Sequence, residues 1–445
     1  MSNQLCGPDD ALRPPSTDSR GDSELQAGYY ITREPAGGGD LCFVIPTSIL
    51  RTWFFGLFSF VLIGAGIYSG HRWYKHAWSY DPVQQRSYFD PHLGSNHATL
   101  LLAIAIGLLV WAAAGALVLR GVLSLFSKAK APAGGPPAAN IRHAPVESRL
   151  GRPDGSELHV ESYGPEDAPT IVLIHGWGMD RTEWTYLTRE LAGGFRLITW
   201  DLPGLGRSTR PANQDYSLEN LAHNLDAVLG MAAGQPSILL GHSIGGMIAL
   251  TFCRLFPEAL GPRVCGLVLA QTTYTNPVRT TTLAGLYTAL ERPLIAPLLR
   301  LTIRLAPLVW LMNQLSYLNG TSHLSTKSSG FGRNATWGQI DYVTRLGIRA
   351  WPGVLARGMF GMLRYDATQT LPAVRVPTLI VAGDRDPVCK PEASRRMHEE
   401  IRGSQLLPLM HAKHMGLLEQ HSFFAQQVSE FAFKCFRTPP PRTAP

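Results

Sequence analysis

The chain has 445 residues, 16% of them charged and 45% hydrophobic, with a formal net charge of +7. That length holds about two or three average domains, although one α/β domain often runs past about 200 residues. Six scattered cysteines (Cys6, Cys42, Cys253, Cys265, Cys389, Cys435) form no Cys-x-x-Cys pair, which argues against a zinc site or a disulfide framework.

The first 45 residues are polar and glycine-rich, without the basic start and apolar run of a cleavable signal. Membrane insertion is therefore expected to use a later segment. Two uncharged stretches qualify, 52–70 ("TWFFGLFSFVLIGAGIYSG") and 98–119 ("ATLLLAIAIGLLVWAAAGALVL"). Each approaches the roughly 20 apolar residues that cross a hydrocarbon core. Trp53, Tyr68, Trp73, Tyr74 and Trp78 lie near the ends of the first stretch, as an interfacial aromatic belt requires. The expectation is a transmembrane hairpin over 49–121 after a polar tail, 1–48.

A hairpin leaves both termini on one side of the membrane. Arg51, Arg120, Lys128 and Lys130 flank it there, against Arg72, Lys75 and Arg86 in the intervening loop, a bias towards cytoplasmic termini and a cytoplasmic main domain. The glycosylation-type triplets Asn319-Gly320-Thr321 and Asn334-Ala335-Thr336 point the other way, so both orientations stay open. His71, His76, His92 and His97 lack ligand spacing and carboxylate partners, and no metal is expected there.

"KAKAPAGGPPAAN" marks a linker, taken as 122–149, because its prolines and glycines suit neither helix nor central strand. Beyond it, short apolar runs alternate with helical spacing, the pattern of a parallel sheet with crossover helices. The runs are 158–163, 170–174, 195–200, 237–240, 266–270, 378–381 and 405–409; helices are expected at 180–192, 217–231, 244–257, 391–402 and 422–435. Several runs are continuously apolar, as strands covered on both faces are. The α/β core is thus assigned to 150–273 and 367–437, with a tail at 438–445.

The interval 274–366 interrupts the alternation and reads as a helical insertion. It holds ten Arg and Lys against Glu291, Asp341 and Asp366, an excess equal to the whole net charge. The charge is therefore a local property of the insertion, and no nucleic-acid partner is expected.

Gly241-His242-Ser243-Ile244-Gly245 follows the run "SILL" and precedes a helical stretch, the strand-turn-helix setting of a nucleophilic serine. Gly241 and Gly245 permit the turn. A serine hydroxyl needs a base, and the base needs an orienting carboxylate. Asp384 and Asp386 follow one predicted strand and His411 and His414 another, at the sheet edge where Ser243 would project. His175-Gly176-Trp177-Gly178 follows a further strand, where the Trp177 backbone N–H and that of Ile244 can serve as oxyanion donors.

These residues resemble the α/β-hydrolase superfamily over about 150–435, through "HGWG", "DLPGLGRS", "GHSIGG", "GDRDPV" and "KHMGLLEQ" in family order. The resemblance implies a mostly parallel sheet with helices on both faces and an inserted helical cap, here preceded by the hairpin. It assigns the acid to Asp386, with Asp384 as alternative, and the base to His414, with His411 as alternative; "DLPGLGRS" is expected to be a structural turn. Lys390 stands where many relatives have proline, with a local effect expected.

The layout resembles membrane-bound monoacylglycerol lipases. The implied function is a membrane-anchored serine hydrolase acting on lipophilic esters, without metal or organic cofactor. The same triad also serves thioesterases, carbon-carbon hydrolases and haloperoxidases, and a non-catalytic membrane receptor is the alternative of another class. The partners expected are a lipophilic ester and membrane lipids, contacted by the hairpin and by the basic amphipathic cap.

Overall fold

The computed structural model describes residues 48–89, 96–126, 144–232 and 234–437. Apart from Ser48, the polar tail lies outside the described residues, as do most of the linker, the tail 438–445, and Asp90, His92, Lys128 and Lys130.

Both uncharged stretches sit inside longer helices, α1 (Ser48–His76) and α2 (Asn96–Phe126). Within them, Ile49–His76 and His97–Val122 are long and apolar enough to cross a membrane. At about 1.5 Å per residue either exceeds a hydrocarbon core of about 30 Å. Large apolar side chains such as Phe54, Val61, Ile106 and Leu117 remain uncovered along them. α1 takes His71 and His76 out of the expected loop, and β1 (Trp78–Asp81) pairs antiparallel with β2 (Arg86–Phe89) beyond it. Trp73, Tyr74, Trp78 and Phe89 gather in edge-on and tilted contacts there.

After the hairpin the first described strand is β3 (Val146–Gly151), which overlaps the end of the segment assigned to the linker. This strand was not anticipated because its sequence, "VESRLG", is half polar and forms an exposed sheet edge. There follow β4 (Glu157–Tyr163), β5 (Thr170–Ile174), α3 (Thr185–Leu191), β6 (Arg196–Trp200), α4 (Leu218–Leu229), β7 (Ser237–His242), α5 (Ile244–Leu255) and β8 (Val264–Ala270). The eight strands of the sheet lie in the order β10-β9-β8-β7-β5-β6-β4-β3, where β9 is Thr378–Gly383 and β10 is Gln405–Leu409. β4 alone runs antiparallel to the rest, pairing antiparallel with β3 on one side and β6 on the other.

Alternation along β5 shows why both faces are covered. Ile171 and Leu173 enter the core that also holds α3 and the C-terminal helix, whereas Val172 and Ile174 enter the core that holds α4 and α5. Period-two side chains place apolar groups on both faces, and helices supply the second surface. α4 starts where the Ser217 hydroxyl accepts from the Asn220 N–H as an N-cap.

Between β8 and β9 run α6 (Pro277–Thr280), α7 (Ala284–Leu290), α8 (Ala296–Arg304), α9 (Ala306–Leu318), α10 (Thr321–Gly330), α11 (Trp337–Arg349) and α12 (Pro352–Leu363). After β9 come α13 (Pro391–Glu400), β10, α14 (Gly416–Glu419) and α15 (His421–Arg437). The stretch from α7 to α9 is apolar enough to count as a broken span, but it bends by 99° between Arg304 and Ala306.

The hairpin packs on this helical insertion. Gly56 allows α1 to approach α9: a β-carbon there would lie 2.3 Å from Met312. Gly115 does the same for α2, where a β-carbon would lie 2.6 Å from the Asn319 carbonyl oxygen. Trp53, expected in an aromatic belt, instead donates from Nε1 to Thr302 Oγ1 at 2.9 Å. Asn319, expected as a glycosylation-type acceptor, is 2% exposed and donates its amide to Ser59 Oγ at 2.8 Å. Asn334 is exposed.

Candidate active site

β7 ends at His242 and α5 begins at Ile244, so Ser243 makes the whole turn, with φ 54° and ψ −118°. That left-handed backbone costs a non-glycine residue on the order of 1–3 kcal/mol and persists only where its surroundings enforce it. Its N–H donates to Ala270 O at 3.0 Å and its carbonyl accepts from Thr272 Oγ1 at 2.6 Å. The flanking glycines are required by close approach. A β-carbon on Gly241 would lie 2.3 Å from the Gly245 backbone, and one on Gly245 would lie 2.1 Å from Ile174 O at the end of β5.

His414 lies between β10 and α14, with Nε2 3.0 Å from Ser243 Oγ. Its Nδ1 lies 2.8 Å from Asp386 Oδ2, in the loop after β9. Because a carboxylate only accepts, Nδ1 carries the proton and Nε2 turns its lone pair to the serine hydroxyl. Asp386 is 2% exposed, and its other oxygen accepts from the N–H groups of Val388 and Cys389 at 2.7 and 3.0 Å. The carboxylate is thereby fixed from both sides. The structure thus brings together Ser243, His414 and Asp386. It does not bring in the alternatives: His411 is exposed on a turn with φ 61°, and Asp384 makes no bond to His414.

Neither the Trp177 nor the Ile244 backbone N–H has an intramolecular acceptor among the described residues. For Ile244 the reason is general, since the first N–H groups of a helix have no partner within it. Trp177 is held by the cap: its Nε1 donates to Leu355 O at 3.1 Å, and a β-carbon on Gly358 would fall 2.0 Å from its ring. His175 is structural. Its Nε2 accepts from the Leu202 N–H at 2.9 Å, so Nδ1 carries the proton and donates to Gly176 O at 2.8 Å. The "DLPGLGRS" turn is organised by Asp201, whose carboxylate accepts from the Arg181 N–H, the Arg181 side chain and the Arg207 N–H.

Two residues that sequence reasoning passed over lie directly behind the site. His242 is buried, with Nδ1 2.7 Å from Glu183 Oε1 and Nε2 3.0 Å from the His414 carbonyl oxygen. Glu183 also accepts from the Gly176 N–H at 2.8 Å. Gly176 must be glycine, since a β-carbon there would come 2.8 Å from His242 Nδ1. The only sequence signal was that His242 stands inside the serine motif; Glu183 was hidden within a predicted helix.

Glu419, which the motif places five residues after His414, ties the cap to the core. Its two oxygens accept from the N–H groups of Gly332 and Asn334, at 2.6 and 2.8 Å. A cavity of about 290 Å³ opens over Ser243 and His414, walled by Trp177, Met247, Val278, Met359, Leu363 and Val388, with Arg51 of α1 at its edge. A larger groove of about 740 Å³ follows Arg181, Arg207 and Arg349 and does not include the serine.

Residues 171–427 match the alpha/beta hydrolase family. The chain belongs to that family. This α/β hydrolase is 41% identical over 103 residues to a pimeloyl-[acyl-carrier protein] methyl ester esterase of Aeromonas salmonicida. That match spans 23% of this chain and only 38% of the relative's length. A protein of the same description from Neisseria meningitidis serogroup C is 27% identical over 270 residues, 60% of this chain and 94% of that one. Among solved structures, a membrane phospholipase A described as a bacterial virulence factor superposes with a TM-score of 0.54 at 22% identity, covering 76% of this chain and 97% of that one. At such identity the likeness establishes the fold.

Proposed function

We propose that this α/β hydrolase is a membrane-anchored serine esterase acting on lipophilic carboxylic esters through an acyl-enzyme. The observation that carries the reading is the hydrogen-bonded series Ser243, His414, Asp386 at the mouth of an apolar cavity. Esterase relatives support the ester as substrate class. Two helices of membrane-crossing length support the anchor.

In the first half-reaction Ser243 Oγ bonds to the ester carbonyl carbon as its proton passes to His414 Nε2. Asp386 keeps the ring oriented and stabilises the imidazolium. The carbonyl oxygen, now an anion, accepts from the Trp177 and Ile244 N–H groups, which have no other acceptor among the described residues. The intermediate collapses, the alkoxide leaves with the proton from Nε2, and the acyl group stays on Ser243. Water then repeats the sequence with His414 as base, releasing the acid and restoring the hydroxyl.

The cavity walls favour an acyl chain over a small polar one. The flanking charges support a cytoplasmic hydrolase domain, and burial of Asn319 weakens one of the two features that oppose it. The test is labelling of the full-length protein by a fluorophosphonate probe, with Ser243→Ala as control. Labelling that disappears in the variant supports the serine; no labelling, or labelling that survives, refutes it. An ester panel graded in acyl length tests the substrate class, and an optimum at two carbons would refute a lipophilic one.

A further inference from the structure

Arg51 stands in the first turn of α1, where its sequence position made it a flanking cation of the membrane hairpin. In the fold it borders the cavity that holds Ser243 and His414. Among the described residues its only hydrogen bond is from Nη1 to the Ser325 carbonyl oxygen, at a long 3.3 Å. Its Nε is shielded from water without a partner. A guanidinium offers five N–H donors, so most of this one's capacity is unspent.

Among the described residues no Asp or Glu lines the cavity, and Arg51 is the only Arg or Lys that does. The other cationic candidate, His242, already has its carboxylate in Glu183. The residue is half-buried, and withdrawing even part of a guanidinium from water beside Met359 and Leu363 without an anion is costly. A role confined to docking α1 on the cap would be expected to use more than one long bond, and α1 is already docked by Trp53 and Ser59.

We infer that the substrate carries, besides its scissile ester, an anionic group, a carboxylate or a phosphate, that Arg51 binds, so that the first membrane helix completes the substrate site. The inference rests on the esterase reading above. The hairpin is then part of the specificity pocket as well as an anchor.

The experiment uses the full-length protein in neutral detergent and two matched substrate pairs. One compares the monomethyl ester of a long-chain α,ω-dicarboxylic acid with the methyl ester of the monocarboxylic acid of equal carbon number. The other compares a 1-acyl-glycerol 3-phosphate with the 1-monoacylglycerol of the same chain. The readout is the ratio of kcat/KM, anionic over neutral, within each pair. Wild type should show a ratio of at least about 10 in one pair, and Arg51→Met should lower it by about 10- to 100-fold, with Arg51→Lys between.

The pair with the larger ratio assigns the group as carboxylate or phosphate. A wild-type ratio near unity in both pairs overturns the inference whatever the variants do. So does a ratio that survives Arg51→Met, including when both rates fall together as a purely structural role would cause. Should Arg51→Met fail to fold, the wild-type ratio and Arg51→Lys decide. Ser243-dependent hydrolysis of the neutral esters alone would sink this inference and leave the esterase reading standing; no hydrolysis and no probe labelling would sink that reading itself.

Discussion

The ring of His242 reaches the backbone carbonyl of His414 at 3.0 Å, so the residue before the serine holds the residue that faces it. Both ring nitrogens of His242 meet groups that only accept, this carbonyl and the Glu183 carboxylate. Two acceptors facing the two ring nitrogens favour the doubly protonated ring. Burial pushes the His242 pKa down, but the Glu183 carboxylate outweighs it and leaves the value raised. Burial likewise pushes Glu183 up, and the charge on His242 reverses this and leaves it lowered.

His242→Gln and Glu183→Gln should each lower kcat by about 10- to 100-fold with little change in KM, because His414 loses its backbone support while the cavity keeps its walls. The pair also sets a pH window. The raised histidine contributes stability that is full below its ordinary value of 6.5 and lost as pH rises through its folded value. The lowered carboxylate contributes above its ordinary 4.5 and loses this as pH falls through its folded value. The difference in thermal midpoint between wild type and His242→Gln should thus be widest between pH 4.5 and 6.5 and shrink on the alkaline side. A difference that grows towards alkaline pH would show that the ring is neutral.

Asp386 and Asp384 differ by two positions and by everything that matters to His414. Asp386→Asn keeps the shape but presents an amide to Nδ1, which favours the wrong ring tautomer, and should cost about 10³- to 10⁴-fold in kcat. Asp384→Asn should stay within about threefold of wild type, since its carboxylate touches neither His414 nor Ser243. Steady-state rates on one neutral ester decide between them, and a large loss in Asp384→Asn with a small one in Asp386→Asn would reverse the assignment.

What the sequence made legible was what local pattern encodes. Glycines around Ser243 announce a turn because the turn leaves no room for a β-carbon, and the apolar runs of β5, β7 and β9 announce strands because both their faces are covered. β3 escaped because an edge strand has no need of an apolar face. His242 and Glu183 escaped because the pair forms only when the loop after β5 folds against the end of β7, 59 positions away. Arg51 and Asn319 were read by their neighbours in sequence, as a flanking cation and a glycosylation-type acceptor. Their partners in space lie more than 250 positions away, and no periodicity reports such contacts.

Asn319 makes the junction of hairpin and cap testable on its own. Its amide donates to Ser59 Oγ, and its carbonyl oxygen accepts from the Thr321 N–H and hydroxyl at 3.0 and 2.7 Å, with Ser59 and Asn319 both buried. Ser59→Ala removes the acceptor of the buried Asn319 amide, whereas Asn319→Ala leaves Ser59 Oγ its bond to Phe55 O at 2.8 Å and its contact with Ser316 Oγ at 3.3 Å; losing the shared bond costs about 1–2 kcal/mol in settings of this kind. Once one partner is gone, removing the second has little left to break. Ser59→Ala and Asn319→Ala should therefore each lower the thermal midpoint of the detergent-solubilised protein, and the double variant should lie well above the sum of the two losses, with a coupling of about 1 kcal/mol. Losses that add to within about 0.3 kcal/mol would mean that the two side chains do not meet.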